Sequence, residues 1–208
     1  MDINQFKKLP IMGILRGIKT DVIEPLVECV VSSGLKTIEI TMNTDGASEL
    51  IRKTKDASGG RLMIGAGTVL TMDDLNQALD AGAGFIVMPT LINNIVEECA
   101  RRSVPVFPGA LTPQEIYNAQ RAGATMVKVF PAKFFGPGYI REIKGPFKEI
   151  ELLACGGVNP DNIGEFFSCG ASAVAFGGSV FKKEWLEAGE FSKIEERVKA
   201  LIANMEIR

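Results

Sequence analysis

Met126-Val127-Lys128-Val129-Phe130-Pro131 is an apolar run carrying one lysine and closed by a proline, and it reads as a buried β-strand of a parallel sheet covered by helices. Immediately before it, Ala122-Gly123-Ala124 closes an amphipathic helical pattern, Pro113–Arg121, whose start is marked by Thr112-Pro113 with Glu115 in the first turn. Glycine just past a helix permits the left-handed C-terminal cap. Helix, glycine and strand thus form one unit. The same closing phrase recurs at Ser33-Gly34-Leu35, Ala81-Gly82-Ala83 and Cys169-Gly170-Ala171.

Working outward, eight strand-like runs can be counted: Ile11–Leu15, Thr37–Thr41, Leu62–Ala66, Phe85–Met88, Val104–Phe107, Met126–Phe130, Glu151–Ala154 and Ala173–Phe176. Helical patterns lie between them, among them Val22–Ser33, Met72–Ala81, Ile92–Arg102, Asp161–Ser168 (with Asn159-Pro160-Asp161 at its start) and a last one near Phe191–Met205. Eight β-α units of roughly 25 residues predict a compact (β/α)₈ barrel of the TIM type. One such domain is expected over residues 1–208, with Met1–Pro10 a short helical lead-in. A doubly wound open sheet is the alternative, although it normally uses fewer strands.

With 208 residues, 46% of them hydrophobic, the chain can bury a full core. Its net charge is −2 and no Lys/Arg run stands out, which argues against nucleic acid or an anionic membrane as partner; a small molecule is the expected ligand. No apolar stretch reaches bilayer length and the start has no signal-peptide core, so the expected compartment is the cytoplasm. Cys29, Cys99, Cys155 and Cys169 lie far apart and there is no histidine, so a zinc site is not expected; no cofactor is expected either. The cysteines read as small buried hydrophobes in a reducing compartment. Without histidine, acid–base work falls to Glu, Asp, Lys or water.

A barrel of this kind carries its site at the C-terminal ends of its strands, so polar residues there are informative. Lys128 and Glu39 are each a lone charge in an apolar strand, and burying either unpaired costs several kcal/mol. Two readings stand: a structural Lys–Glu pair filling the barrel, or a lysine nucleophile with a carboxylate partner. Lys133 is a weaker candidate nucleophile, because it follows Pro131 in a loop open to solvent. Arg16, just after the first strand, can grip a carboxylate in a bidentate way or be an ordinary surface arginine. Thr68 can hydrogen-bond a carboxylate or hydroxyl, or cap the next helix with Asp73 or Asp74; Pro89 and Phe130 can shape an apolar wall or simply pack. Gly156-Gly157 and Gly177-Gly178-Ser179 follow the last two strands, where many barrels cradle a phosphate on backbone N–H groups beside a helix N-terminus. Ordinary turns are their other reading.

Three segments carry a resemblance: Gly123-Ala-Thr-Met-Val-Lys128-Val-Phe-Pro-Ala-Lys-Phe-Phe-Gly136, Gly34-Leu-Lys-Thr-Ile-Glu39-Ile-Thr41 and Ile64-Gly-Ala-Gly-Thr-Val69. In this order they resemble the signatures of the 2-keto-3-deoxy-6-phosphogluconate and 4-hydroxy-2-oxoglutarate aldolases, over nearly the whole chain. The resemblance implies a metal-free (β/α)₈ homotrimer in sugar-acid catabolism of the Entner–Doudoroff type, acting on a phosphorylated 2-keto acid. It implies that Lys128 forms an imine and that Glu39 moves protons through water. Arg16 and Thr68, with Pro89 and Phe130 as walls, would hold the pyruvoyl end; Gly156, Gly157, Gly178 and Ser179 would hold phosphate. Two positions depart from the phosphogluconate pattern. Asn43 stands where arginine is frequent and Cys155 where threonine is, and both would face substrate and select the sugar. Asn43, with Leu15-Arg16-Gly17-Ile18, is similar to the 6-phosphogalactonate branch. A phosphate-binding barrel isomerase or synthase and a non-catalytic phospho-sugar-acid binding protein are the rival functions; neither requires a lysine within the sixth run.

Overall fold

A computed structural model describes residues 1–205. In chain order the elements are helix α1 (Ile3–Lys8), strand β1 (Ile11–Leu15), α2 (Ile23–Ser32), β2 (Thr37–Thr41), α3 (Ala47–Ser58), β3 (Met63–Gly67), α4 (Met72–Asp80), β4 (Ile86–Val87), α5 (Asn93–Arg101), β5 (Val106–Phe107) and β6 (Gly109–Ala110). There follow α6 (Pro113–Arg121), β7 (Val127–Val129), α7 (Gly136–Lys144), β8 (Leu152–Cys155), α8 (Ile163–Ser168), β9 (Ala173–Phe176), α9 (Lys183–Glu187) and α10 (Phe191–Ala203).

All strand pairs are parallel, and the sheet order is β5-β4-β3-β2-β1-β9-β8-β7-β6. β5 and β6 lie at the two ends of that order yet are separated in the chain only by Pro108, so they form one stave and the sheet curls into a barrel. The fifth run of the sequence is therefore corrected from Val104–Phe107 to two short strands, because a proline cannot donate to a ladder. Its carbonyl still accepts the Lys128 N–H at 2.9 Å, which stitches the stave to β7. The sequential order around β1 excludes the open doubly wound sheet.

Alternation along each strand separates two cores. Ile11, Ile38, Ile40, Ile64, Ile86, Val127, Val129, Leu152 and Val174 face outward into the helix layer. Met12, Phe85, Val87, Phe107, Met126, Leu153, Cys155, Ala173 and Ala175 form a second buried cluster, the barrel interior. Phe6 of α1 joins that interior cluster fully buried, its ring edge-on to Phe107 at 6.1 Å, so α1 plugs the N-terminal end. The chain's amino group donates to the Gly84 carbonyl at 3.0 Å and Lys7 pairs with Glu151 at 2.7 Å, fixing the plug.

Local signals account for most helix ends. α4 and α6 each open on a capping box, Thr71 with Asp74 and Thr112 with Glu115. Gly34, Gly82, Gly123 and Gly170 all have φ between +89° and +103°, the left-handed cap that their position after a helix demanded. Two boundaries need correction. The Val22–Ser33 pattern opens as a 3₁₀ turn, Thr20–Val22, before α2. The helix expected from Asp161 starts at Ile163, because the side chains of Asn159 and Asn162 accept from the Asp161 and Asn159 N–H groups and hold a turn. α7 is an element the sequence pattern did not single out, because it opens on Gly136-Pro137-Gly138, a composition that reads as a turn. Among the described residues no helix is long and apolar enough to cross a membrane.

Candidate active site

Strand parity carries the site. Arg16, Pro89, Lys128, Phe130 and Cys155 each lie an even number of residues from an inward side chain of their own stave, Met12, Val87, Met126 or Leu153, and Glu39 lies between outward-facing Ile38 and Ile40. They reach the C-terminal mouth from five different strands. Lys128 is 6% exposed, and its Nζ stands 5.3 Å from the centre of the Phe130 ring. Its ladder partners are Gly109 and Leu153. The Pro89 backbone lies so close over Gly109 that a Cβ on that glycine would overlap its carbonyl, which brings Pro89 alongside the lysine.

Glu39 is 1% exposed. Burial pushes its carboxyl pKa up, and the positive charges of Lys128 and Arg16 pull against that shift. Among the described residues its Oε2 has no hydrogen-bond partner and no ion pair joins it to Lys128, so the direct structural pair is not formed. A buried carboxylate oxygen left without a donor costs free energy and is uncommon in a merely structural role. Cys155 completes the cluster at 3% exposed. Burial raises its thiol pKa; Lys128 and Arg16 oppose, and Glu39 adds to the rise. Lysine, glutamate, arginine and thiol thus share one electrostatic neighbourhood.

Two conformational features surround it. Thr68 has φ +55°, a left-handed conformation that a β-branched residue rarely adopts, directly after β3. It does not cap α4; Thr71 does. Gly67, the last residue of β3, lies against Glu39: a Cβ there would stand 2.5 Å from Oε1 and 2.7 Å from Cδ. Arg16 is exposed at the rim and lines a cleft of about 360 Å³ with Phe181, Lys183 and Glu187. Asn43 is exposed in the loop after β2. Lys133 is exposed too, its Nζ 4.8 Å from the Phe134 ring, outside the barrel interior.

The glycine loops divide. Gly156 and Gly157 have φ +103° and +79°, and a Cβ on Gly157 would stand 2.6 Å from Lys133 Cβ, so both packing and conformation require glycine at 157. Gly178 is exposed, and a Cβ on it would meet nothing within 4 Å. Ser179 Oγ donates to the Val158 carbonyl at 2.6 Å, tying the two loops together. Among the described residues the N–H groups of Gly157, Gly178 and Ser179 find no acceptor in the chain. The helix expected to open beside these loops is reduced: α8 starts six residues after Gly157, and α9 is five residues long. The loops offer backbone donors without a full helix behind them.

Reading the sequence overlooked Gly65, Gly67 and Gly109 as parts of the site. The signal for the first two was present, since two of the three inward positions of β3, after Met63, are glycine. Among the described residues no three His, Cys, Asp or Glu side chains stand together as a metal group would require, and all four cysteines are free and buried.

Comparison with known proteins identifies the family and the fold. The family model for KDPG and KHG aldolase matches residues 3–197. The 2-dehydro-3-deoxy-6-phosphogalactonate aldolase of Escherichia coli (strain K12) is 32% identical over 176 residues, covering 84% of this chain and 86% of that protein. The 2-dehydro-3-deoxy-phosphogluconate aldolase of Haemophilus influenzae is 31% identical over 202 residues, covering 96% and 94%. Among solved structures, native KDPGal superimposes with a TM-score of 0.88 at 29% identity, over 95% of this chain and 94% of that one. A parallel barrel with a lysine and a glutamate buried at its mouth, matched along nearly its full length, belongs to the KDPG and KHG aldolase family, and the chain is an aldolase, a carbon–carbon lyase.

Proposed function

We propose that the protein is a class I aldolase that cleaves a 2-keto-3-deoxy-6-phospho sugar acid, the gluconate epimer in the first reading, into pyruvate and glyceraldehyde 3-phosphate. The observation that carries this is Lys128, buried at the mouth with neither hydrogen bond nor ion pair to the nearby Glu39 carboxylate. The lone pair of Lys128 Nζ attacks the C2 carbonyl, and the carbinolamine hydroxyl, protonated from solvent, leaves as water to give a protonated imine. Glu39, directly or through one water, takes the proton of the C4 hydroxyl as the C3–C4 bond breaks. The bonding pair flows to the imine nitrogen, leaving an enamine on Lys128 and releasing the aldehyde. Protonation at C3 and hydrolysis return pyruvate and the free amine.

A carboxyl whose pKa is raised by burial suits both halves of that cycle, because it holds the proton it takes from the hydroxyl until it is returned to the enamine. Arg16 and Thr68 hold the pyruvoyl carboxylate, Pro89 and Phe130 wall the carbon chain, and the free N–H groups of Gly157, Gly178 and Ser179, with Gly156 shaping the turn, receive the phosphate. The reading carries with it a cytoplasmic homotrimer that needs no metal or cofactor; exposed Phe134 and Phe135 are apolar surface that a neighbouring subunit would cover. A second reading, the galactonate epimer, is favoured by Asn43, by Cys155 and by the 32% identity to the Escherichia coli phosphogalactonate aldolase. Pyruvate release from each epimer, with a chelator present, tests both. Turnover of one epimer without metal supports the proposal and chooses the sugar, whereas no release from either, or release only on adding metal, rejects it.

A further inference from the structure

β3 presents two bare positions to the barrel interior, Gly65 and Gly67, and each is filled by a side chain from a neighbouring stave. A Cβ on Gly65 would overlap the ring of Phe85, the residue just before β4; a Cβ on Gly67 would stand 2.5 Å from Oε1, 2.7 Å from Cδ and 3.1 Å from Oε2 of Glu39 from β2. Phe85 is fully buried and meets Phe107 edge-on at 5.9 Å, so it is a fixed floor. Glu39 is in register with Gly65, whose notch that ring already occupies, and Thr41 is in register with Gly67. The glutamate side chain therefore leans upward along its strand and comes to rest on Gly67, at the mouth. Its Oε2 takes no hydrogen bond from the chain among the described residues, so contact with the glycine, rather than a donor, defines where that oxygen stands.

We infer that Gly67 is a positioning residue: its missing side chain is the seat that holds the Glu39 carboxylate at the height where the substrate hydroxyl arrives. The inference deepens the reading of Lys128 and Glu39 given above and rests on it. Adding a methyl group at 67 needs the carboxylate to move from 2.5 Å to at least 3.4 Å, about 0.9 Å, the scale on which a misplaced group costs about 100-fold in rate.

The test is Gly67→Ala in the full chain. The expected result is kcat for cleavage down about 100-fold with KM changed less than about threefold. Imine formation between pyruvate and Lys128, read by borohydride trapping, stays at the wild-type level. In single turnover on a Glu39→Gln background the same substitution costs less than about threefold, because no carboxylate remains to be displaced. Wild-type kcat in folded Gly67→Ala, or an equal loss on the Glu39→Gln background, overturns the inference. If Gly67→Ala does not fold, Gly67→Ala combined with Glu39→Asp regains the fold, since the shorter acid leaves room for the methyl; a double variant that stays unfolded also overturns it. Trapping on the wild-type protein reports on the underlying Lys128 reading separately, so the two failures are distinguishable.

Discussion

Gly178→Ala separates ligand binding from folding at the loop after β9. Gly178 is exposed, is not in the positive-φ region, and has no heavy atom within 4 Å of where a Cβ would stand. The protein should therefore accept the methyl group with a stability change within about 0.5 kcal/mol, a shift in Tm within about 2 °C. An anion seated on the Gly178 N–H meets that methyl group instead. Losing one hydrogen bond to a charged group costs about 1.5–3 kcal/mol, so KM for the phosphorylated substrate should rise about 10- to 150-fold. Pyruvate lacks the phosphate, and its borohydride-trapping rate should be unchanged. Steady-state pyruvate release, calorimetry and trapping on one preparation provide all three readings. Gly157→Ala is the contrasting control: with φ +79° and Lys133 Cβ at 2.6 Å it should also lower stability. An unchanged KM in folded Gly178→Ala, or an equal weakening toward pyruvate, would refute the assignment of this loop to phosphate.

Two further substitutions address the interior. Burial raises the Glu39 carboxyl above its ordinary value of 4.5, so the folded chain holds this proton more tightly than the unfolded chain. Its contribution to stability is full below pH 4.5 and is lost as pH rises through the folded value. Glu39→Gln removes that loss: its Tm relative to wild type should climb between pH 4 and pH 8 while kcat falls by about 100-fold or more, and a declining difference would contradict the sign. Phe85→Ala empties the floor under Glu39. Removing a fully buried phenyl ring costs about 3–5 kcal/mol, about 6–20 °C in Tm, and a loss below about 1 kcal/mol by denaturant titration would show that the ring is not the floor described here.

The barrel was legible because its units repeat a physical grammar: a capped helix, a left-handed glycine and a strand apolar on both faces. The split of the fifth stave was harder to see, since Pro108 interrupts a ladder whose two halves bond to different neighbours, β4 and β7. Lys128 and Glu39 were legible as lone charges in apolar strands, and counting by twos from each strand's inward residues would also have put Arg16, Pro89 and Cys155 at the same mouth. Absence of a direct Lys128–Glu39 pair was not legible, because it depends on which notch the glutamate enters. Gly65 and Gly67 show why: a glycine carries no chemistry of its own, and its role exists only through the side chain that settles on it. Asn43 and Cys155, the two departures from the phosphogluconate pattern, differ in setting: Asn43 is exposed, and Cys155 is buried, its thiol pushed up by burial while Lys128 opposes.

The central claim is that Lys128 forms a covalent imine with the keto acid, and the most direct measurement is borohydride reduction in the presence of pyruvate followed by peptide mapping. The account predicts one reduced pyruvoyl unit per chain, on the peptide containing Lys128, and none in Lys128→Ala. Label on Lys133 or elsewhere, or no label on protein that cleaves substrate, would contradict it.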